Sequence, residues 1–168
     1  MENISTRDEK NILYMSMALN LAQAAYEAEE VPVGCVIVLG GEVIGRGYNR
    51  RNSAKNALYH AEMIAIGEAC AYMGDWRLEG CSLYVTVEPC AMCAGAIVNA
   101  RIPVVVYGCA NPKAGCAGSI LDVLNEPRFN HRATVASGVM EDACAGLMSR
   151  FFARKRSVSE KKPTAVEP

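Results

Sequence analysis

The chain has 168 residues, 51% of them apolar and 21% charged, with a formal net charge of −1. That size and balance fit one globular domain with a full core, and the near-neutral charge by itself gives no sign of a nucleic-acid binder. No apolar run approaches the ~20 residues needed to cross a bilayer, and the opening "MENISTRDEK" lacks the apolar core of a signal peptide, so a cytoplasmic location is expected.

Ile12, Met15, Leu19, Ala22 and Tyr26 recur at helical spacing and predict an amphipathic helix over 7–29. "VPVGCVIVL", "GG" and "EVIGRGYN" read as a strand over 31–39, a tight turn and a strand over 42–49. The G-x-G in "IGRGYNR" lacks a third glycine and lies in a strand, so it is no dinucleotide loop. A polar loop from Arg50 to about Leu58 leads into the helix "HAEMIAIGEACAYMG", closed by Gly74. A strand "CSLYVTV" follows, then a helix "PCAMCAGAIVNA" with Pro89 in its first turn, then a strand "PVVVYG". The long loop from Asn111 to His131 is expected to hold a short helix near Ile120–Leu124. A strand at "ATVAS" and a helix over 141–156 complete the pattern, and "SVSEKKPTAVEP" reads as a mobile polar tail. The alternation implies one α/β domain over 7–156, a central sheet covered by helices on both faces.

Eight cysteines raise the question of disulfides, but a secreted disulfide scaffold is usually shorter and loop-rich. Cys35 and Cys81 sit inside apolar runs and read as small core residues. Three short basic clusters read first as solvated surface: Arg50, Arg51 and Lys55; Arg128, His131 and Arg132; and Arg150, Arg154, Lys155 and Arg156.

The C-x-x-C of Cys90 and Cys93 fits a redox pair, half of a structural zinc site, or a catalytic metal site. At i and i+3 the two thiols share one face of a helix start, where unpaired backbone N–H groups favour thiolates. What weighs against redox is "HAE" at the mouth of the preceding helix. His60 and Glu62 would point apart in mid-helix, so they share a site only if His60 precedes regular helical geometry. Two cysteines and one histidine leave a fourth position of a zinc ion open for water, and Glu62 supplies the carboxylate that such a water needs. A structural site completed by Cys109 or Cys116 stays open, as does a solvent-facing Glu62 at the helix start.

H-x-E followed by P-C-x-x-C is the established signature of the zinc-dependent cytidine/deoxycytidylate-type deaminases, which "HAE" and "PCAMC" therefore resemble. More narrowly, the chain is similar to the bacterial tRNA adenosine deaminases. The matching stretches are "EVPVGCV", "GYNR", "LYVTVEPCAMCAGAI", "PKAGCAGS", "DVLN", "FNHR" and "FFARKR". The resemblance implies a three-layer α/β/α cytidine-deaminase-like fold with a central five-stranded mixed sheet, and a homodimer. It implies conversion of adenosine to inosine at the wobble position of a tRNA, with tRNA-Arg(ACG) expected. By the same resemblance His60, Cys90 and Cys93 hold one Zn2+, and Glu62 shuttles the proton while activated water attacks C6 of the adenine. Asn49 is carried over as an amide that binds the flipped nucleoside and Val31 as a pocket wall, while Asn111, where the chain departs from the family, is expected near the sugar-phosphate backbone of the target. A tRNA anticodon stem-loop is the implied partner, because its bases splay out more cheaply than those of a duplex. The basic C-terminal helix with Phe151 and Phe152 would contact it, with at least one phenylalanine in the core.

The family commonly has aspartate where this chain has Asn111, and a threonine or similar residue where it has Leu58 and Tyr59. Asparagine removes a negative charge near the substrate phosphates and is expected to blunt discrimination between RNA and DNA. One rival reading is a deaminase of the same fold acting on free guanine, cytosine or a pyrimidine nucleotide. Another is a zinc-stabilised RNA-binding subunit without activity, against which Glu62 argues.

Overall fold

The computed structural model describes residues 4–160, with side chains over 7–157. Helix α1 (Ile4–Glu27) precedes the hairpin of β1 (Gly34–Leu39) and β2 (Glu42–Tyr48). Helix α2 (Ala61–Met73), β3 (Cys81–Val87), α3 (Ala91–Asn99), β4 (Val104–Cys109), β5 (Thr134–Ala136) and α4 (Glu141–Glu160) follow. The hairpin turn places Gly40 at φ 58° and Gly41 at φ 94°, a two-residue geometry in which both positions need left-handed backbone. The sheet has five strands in the order β2-β1-β3-β4-β5. It is mixed: β1 is antiparallel to both β2 and β3, while β4 runs parallel to β3 and β5 parallel to β4.

The central strands β1, β3 and β4 are largely apolar because both faces are covered, and alternate residues supply two cores. Cys35, Ile37, Leu83, Val85 and Val105 pack with Ala61, Ala65 and Ala69 of α2 and Ala94 and Ile97 of α3. Val36, Val38, Tyr84 and Val106 pack with Tyr14, Met15 and Ala18 of α1 and Cys144 of α4. Cys35 and Cys81 are core residues, as their apolar surroundings in the sequence suggested.

Several local expectations are corrected. The buried stripe of α1 is Tyr14, Met15, Ala18, Ala22 and Ala25, and Ile12 lies on its exposed side. Strand β1 starts at Gly34 because Val31–Val33 form a tight local turn, with the Val33 amide donating to the Val31 carbonyl at 2.8 Å. Ile120–Leu124 is not helical. The Ile120 amide pairs back to the Gly115 carbonyl and that of Val123 to the Cys116 carbonyl, loop bonds rather than the i to i−4 pattern of a helix.

Pro89 stands just outside α3 rather than in its first turn, since Cys90 is the N-cap. Helix α4 continues through 157–160, where a tail was expected; no helix breaker occurs before Pro163. The remainder of that tail, 161–168, lies outside the described residues. Among the described residues no helix is long and apolar enough to cross a membrane.

Candidate active site

The strand directions decide where the site forms. Since β1 opposes both β2 and β3, the strands β2, β3 and β4 all run the same way. Their carboxyl ends therefore share one edge of the sheet, where ligands of open α/β sheets bind. The segments leaving those ends carry Asn49 to His60, Glu88 to Cys90, and Asn111 to Ser119. The chain entering β1 through Val31 arrives at the same edge.

His60 is the N-cap of α2, at φ −78° and ψ 156°, and so stands before helical geometry begins. That extended backbone lets its ring face the site together with Glu62, the second residue of the helix. Cys90 is the N-cap of α3, at φ −76° and ψ 176°, with Cys93 one turn on. His60 Nδ1 lies 3.7 Å from Cys90 Sγ and 3.6 Å from Cys93 Sγ. The three ligand atoms all lie within 4.8 Å of one another. Ordinary Zn–S and Zn–N bonds at a tetrahedral angle require an N···S edge of about 3.6 Å, so the group fits zinc.

The electrostatics agree. Hydrogen bonding from Cys93 and then from His60 pulls the Cys90 thiol down to about 3. The same contact with Cys90, with burial added, pushes Cys93 upward. Two sulfurs and one imidazole nitrogen form a donor set suited to zinc. Among the described residues neither Cys109 nor Cys116 joins the group, so a structural site closed by a fourth cysteine is not what the chain builds.

Glu62 is buried rather than solvent-facing, with 4% of its surface exposed. Burial first, and then the nearby Cys90 charge, raise its carboxyl to about 7, against a lowering by its own backbone N–H. It lines a cavity of about 180 Å³ together with His60, Cys90, Val31, Asn49 and Asn111. All seven residues singled out from the sequence thus meet at one place: six line this cavity, and Cys93 adjoins it through His60.

Four contributors escaped the sequence reading. Glu30, 1% exposed, accepts from Asn49 Nδ2 at 3.3 Å and from the amides of Asn52 at 3.2 Å and Ser53 at 2.6 Å. Glu88 accepts from the amides of Asn111, Ala117 and Ser119 on the opposite wall. Arg51 and Met148 also line the cavity. The available signal was a carboxylate abutting an apolar run, in "EVPVG" and "VEPC", where burial demands partners.

The basic clusters separate in the fold. Arg128 pairs with Glu126 at 2.6 Å within the loop, and His131 Nε2 donates to the Ile102 carbonyl at 2.8 Å, tying the loop's end to the segment before β4. Arg154 donates to the Tyr26 carbonyl at 3.1 Å and stacks over the Tyr26 ring. Phe151 is core and Phe152 is exposed, as expected of at least one of the pair.

A family described as the cytidine and deoxycytidylate deaminase zinc-binding region matches residues 8–109. The tRNA-specific adenosine deaminase of Bacillus subtilis is 49% identical over 160 residues, spanning 95% of this chain and 96% of that one. The enzyme of the same name from Aquifex aeolicus is 42% identical, spanning 86% of this chain and 95% of that one. A solved structure from studies of A-to-I editing by tRNA:A34 deaminases superposes with a TM-score of 0.77 at 42% identity, covering 80% of this chain and 97% of that one. A guanine deaminase from Nitrosomonas europaea, at 23% identity and a TM-score of 0.73, shares the fold. With a His-Cys-Cys group of zinc dimensions beside a buried Glu62, the chain belongs to the zinc-dependent cytidine and deoxycytidylate deaminase family, among its tRNA-specific adenosine deaminases.

Proposed function

We propose that the chain hydrolytically deaminates adenosine to inosine at the wobble position of tRNA, with tRNA-Arg(ACG) as its expected substrate. The observation that carries the reading is the three-ligand group with the buried Glu62 carboxyl beside it. Bound zinc supplies a water made acidic at neutral pH and a positive charge where negative charge develops.

The chain's own residues do the rest. With its carboxyl raised to about 7, Glu62 can both accept and return a proton near neutral pH. It takes one proton from the water and delivers it to N1 of the adenine as the C6–O bond forms, then takes the remaining proton from the C6 hydroxyl and delivers it to the amino group, which leaves as ammonia as C6=O forms. Asn49, whose Nδ2 is committed to Glu30, keeps its amide oxygen for the base or ribose. Val31 forms an apolar wall, and Asn111 faces the target nucleotide from the opposite side. The Asn111 side-chain oxygen accepts from the Ala114 amide at 3.2 Å, so its NH2 is the group left to donate.

An anticodon stem-loop suits this opening. A groove lined by Phe152, Lys113, Pro112 and Arg156 adjoins the cavity and shares Val31, Val87, Asn111 and Met148 with it. A flanking base stacks on Phe152 there, while the cations meet phosphates. We infer a homodimer as well: Leu58 and Tyr59 are exposed beside His60 and line a hollow with Met63 and Ile64, an apolar face that a second copy would cover. A tRNA substrate implies work in the cytoplasm.

The test is sequencing of tRNA from cells depleted of this protein and complemented with wild type or Glu62→Gln. Depletion removes inosine from the first anticodon position, and wild type restores it. Glu62→Gln retains zinc but fails to restore, since losing a positioned acid–base group costs about 10²-fold or more in rate. Inosine that persists after depletion would defeat the assignment.

A further inference from the structure

We propose that Glu88 is a positioning residue for substrate, holding the 111–119 loop as the fixed wall of the pocket opposite Asn49. This rests on the function proposed above. Glu88 follows β3 and stands two residues before Cys90, with only 2% of its surface exposed. Its carboxylate accepts from the Asn111 amide at 2.9 Å, the Ala117 amide at 3.0 Å and the Ser119 amide at 3.0 Å, and also from the Ser119 hydroxyl. All four donors belong to one loop, and no helix or strand supports that loop from within. A buried carboxylate with so many backbone donors is a strong tether, because each bond is charge-assisted.

Two further contacts join this tether to the metal group. The Cys116 amide donates to the Pro89 carbonyl at 2.8 Å, and Cys90 forms an isolated bridge with Gly115. Gly115 has no room for a side chain, since a Cβ would overlap the Glu88 carboxylate and the Asn111 carbonyl oxygen. The segment carrying Cys90 and the loop carrying Asn111 and Ala114 are thereby one body. Asn111 and Ala114 line the same cavity as Glu62. Glu88 borders the cavity, but its carboxylate is taken up by four donors of the loop, and with the two backbone contacts it sets the distance between the candidate metal group and the substrate wall.

Two variants and three measurements test this on the zinc-loaded protein. Glu88→Gln keeps the shape but turns one acceptor into an NH2 group facing N–H donors. Ser119→Ala removes a single partner and leaves the carboxylate in place. Zinc content, amide hydrogen exchange, and kcat and KM on an anticodon stem-loop are measured for each. In Glu88→Gln the amides of Asn111, Ala117 and Ser119 lose protection and KM rises about tenfold or more, the equivalent of one charged hydrogen bond. Zinc stays near one per chain, and kcat changes less than KM. Ser119→Ala shows a smaller rise in KM, about threefold, and decides the matter if the glutamine variant does not fold.

Unchanged protection at the three amides overturns the proposal. So does a loss of zinc and kcat at unchanged KM, which would make Glu88 a support for Cys90 instead. A wild-type protein inactive on the stem-loop would defeat the proposed function, while the exchange measurement would still decide what Glu88 holds.

Discussion

Glu62 and Glu30 are both buried carboxylates beside the same cavity, yet their acidities move in opposite directions. Burial raises both. For Glu62 its own backbone N–H, His60 and Cys93 offset it only in part, and the Cys90 charge adds to it. For Glu30 the amides of Ser53 and Asn52, the Ser53 hydroxyl and the charge of Arg51 outweigh burial, so its carboxyl lies below the ordinary 4.5. The first is therefore suited to exchanging protons and the second to holding atoms still. A folded-state value below the unfolded one means that Glu30 stabilises the fold above about pH 4.5, and that this is lost as pH falls through its folded value. The stability gap between wild type and Glu30→Gln should be largest near neutrality and narrow in acid, as read from melting temperatures across a pH series. A gap that stays constant down to pH 3 would show that the carboxylate's charge contributes nothing.

At the scale of elements, the site depends on how closely α2 lies on β2. Gly45 and Gly47 face the helix, and a methyl at Gly47 would overlap the Ala61 carbonyl oxygen next to His60. Gly47→Ala should push the start of α2 outward, costing about 1–3 kcal/mol and lowering zinc content. Gly67, in the same helix, has open space around its Cβ position, so Gly67→Ala should gain about 0.5–1 kcal/mol and leave zinc untouched. Thermal melts and metal analysis of both variants check the pair. Element positions were legible where the ends were marked, as in α2, which runs from the His60 N-cap to Gly74, and in β3, a short apolar run. The Ile120–Leu124 segment misled because its short apolar run packs through loop-to-loop hydrogen bonds, which no local pattern reveals.

For the molecule as a whole, the exposed Leu58 and Tyr59 lie in the loop that delivers His60 to the metal group. Leu58→Glu should weaken self-association about tenfold or more by burying a charge against apolar surface, with a shift from dimer to monomer in sedimentation. An unchanged mass in Leu58→Glu would exclude this face as the interface, and a wild type that sediments as a monomer would defeat the proposed homodimer.

The chain's residue order by itself determined the five strands, the helices on either side, and the candidate metal group of His60, Cys90 and Cys93 with Glu62 beside it. Those rest on short-range features: apolar runs bounded by turn residues, three-residue spacing across Cys90 and Cys93, and the chemistry of His60 and Glu62 at the mouth of a helix. Only the tertiary structure decided that β2, β3 and β4 end at one edge, that Cys109 and Cys116 stay out of the metal group, and that Glu30 and Glu88 hold opposite walls. Glu30 bonds to residues 19 to 23 positions away, and Glu88 to residues 23 to 31 positions away. Such partners are chosen by the folding of the sheet, and no local pattern in the chain encodes them.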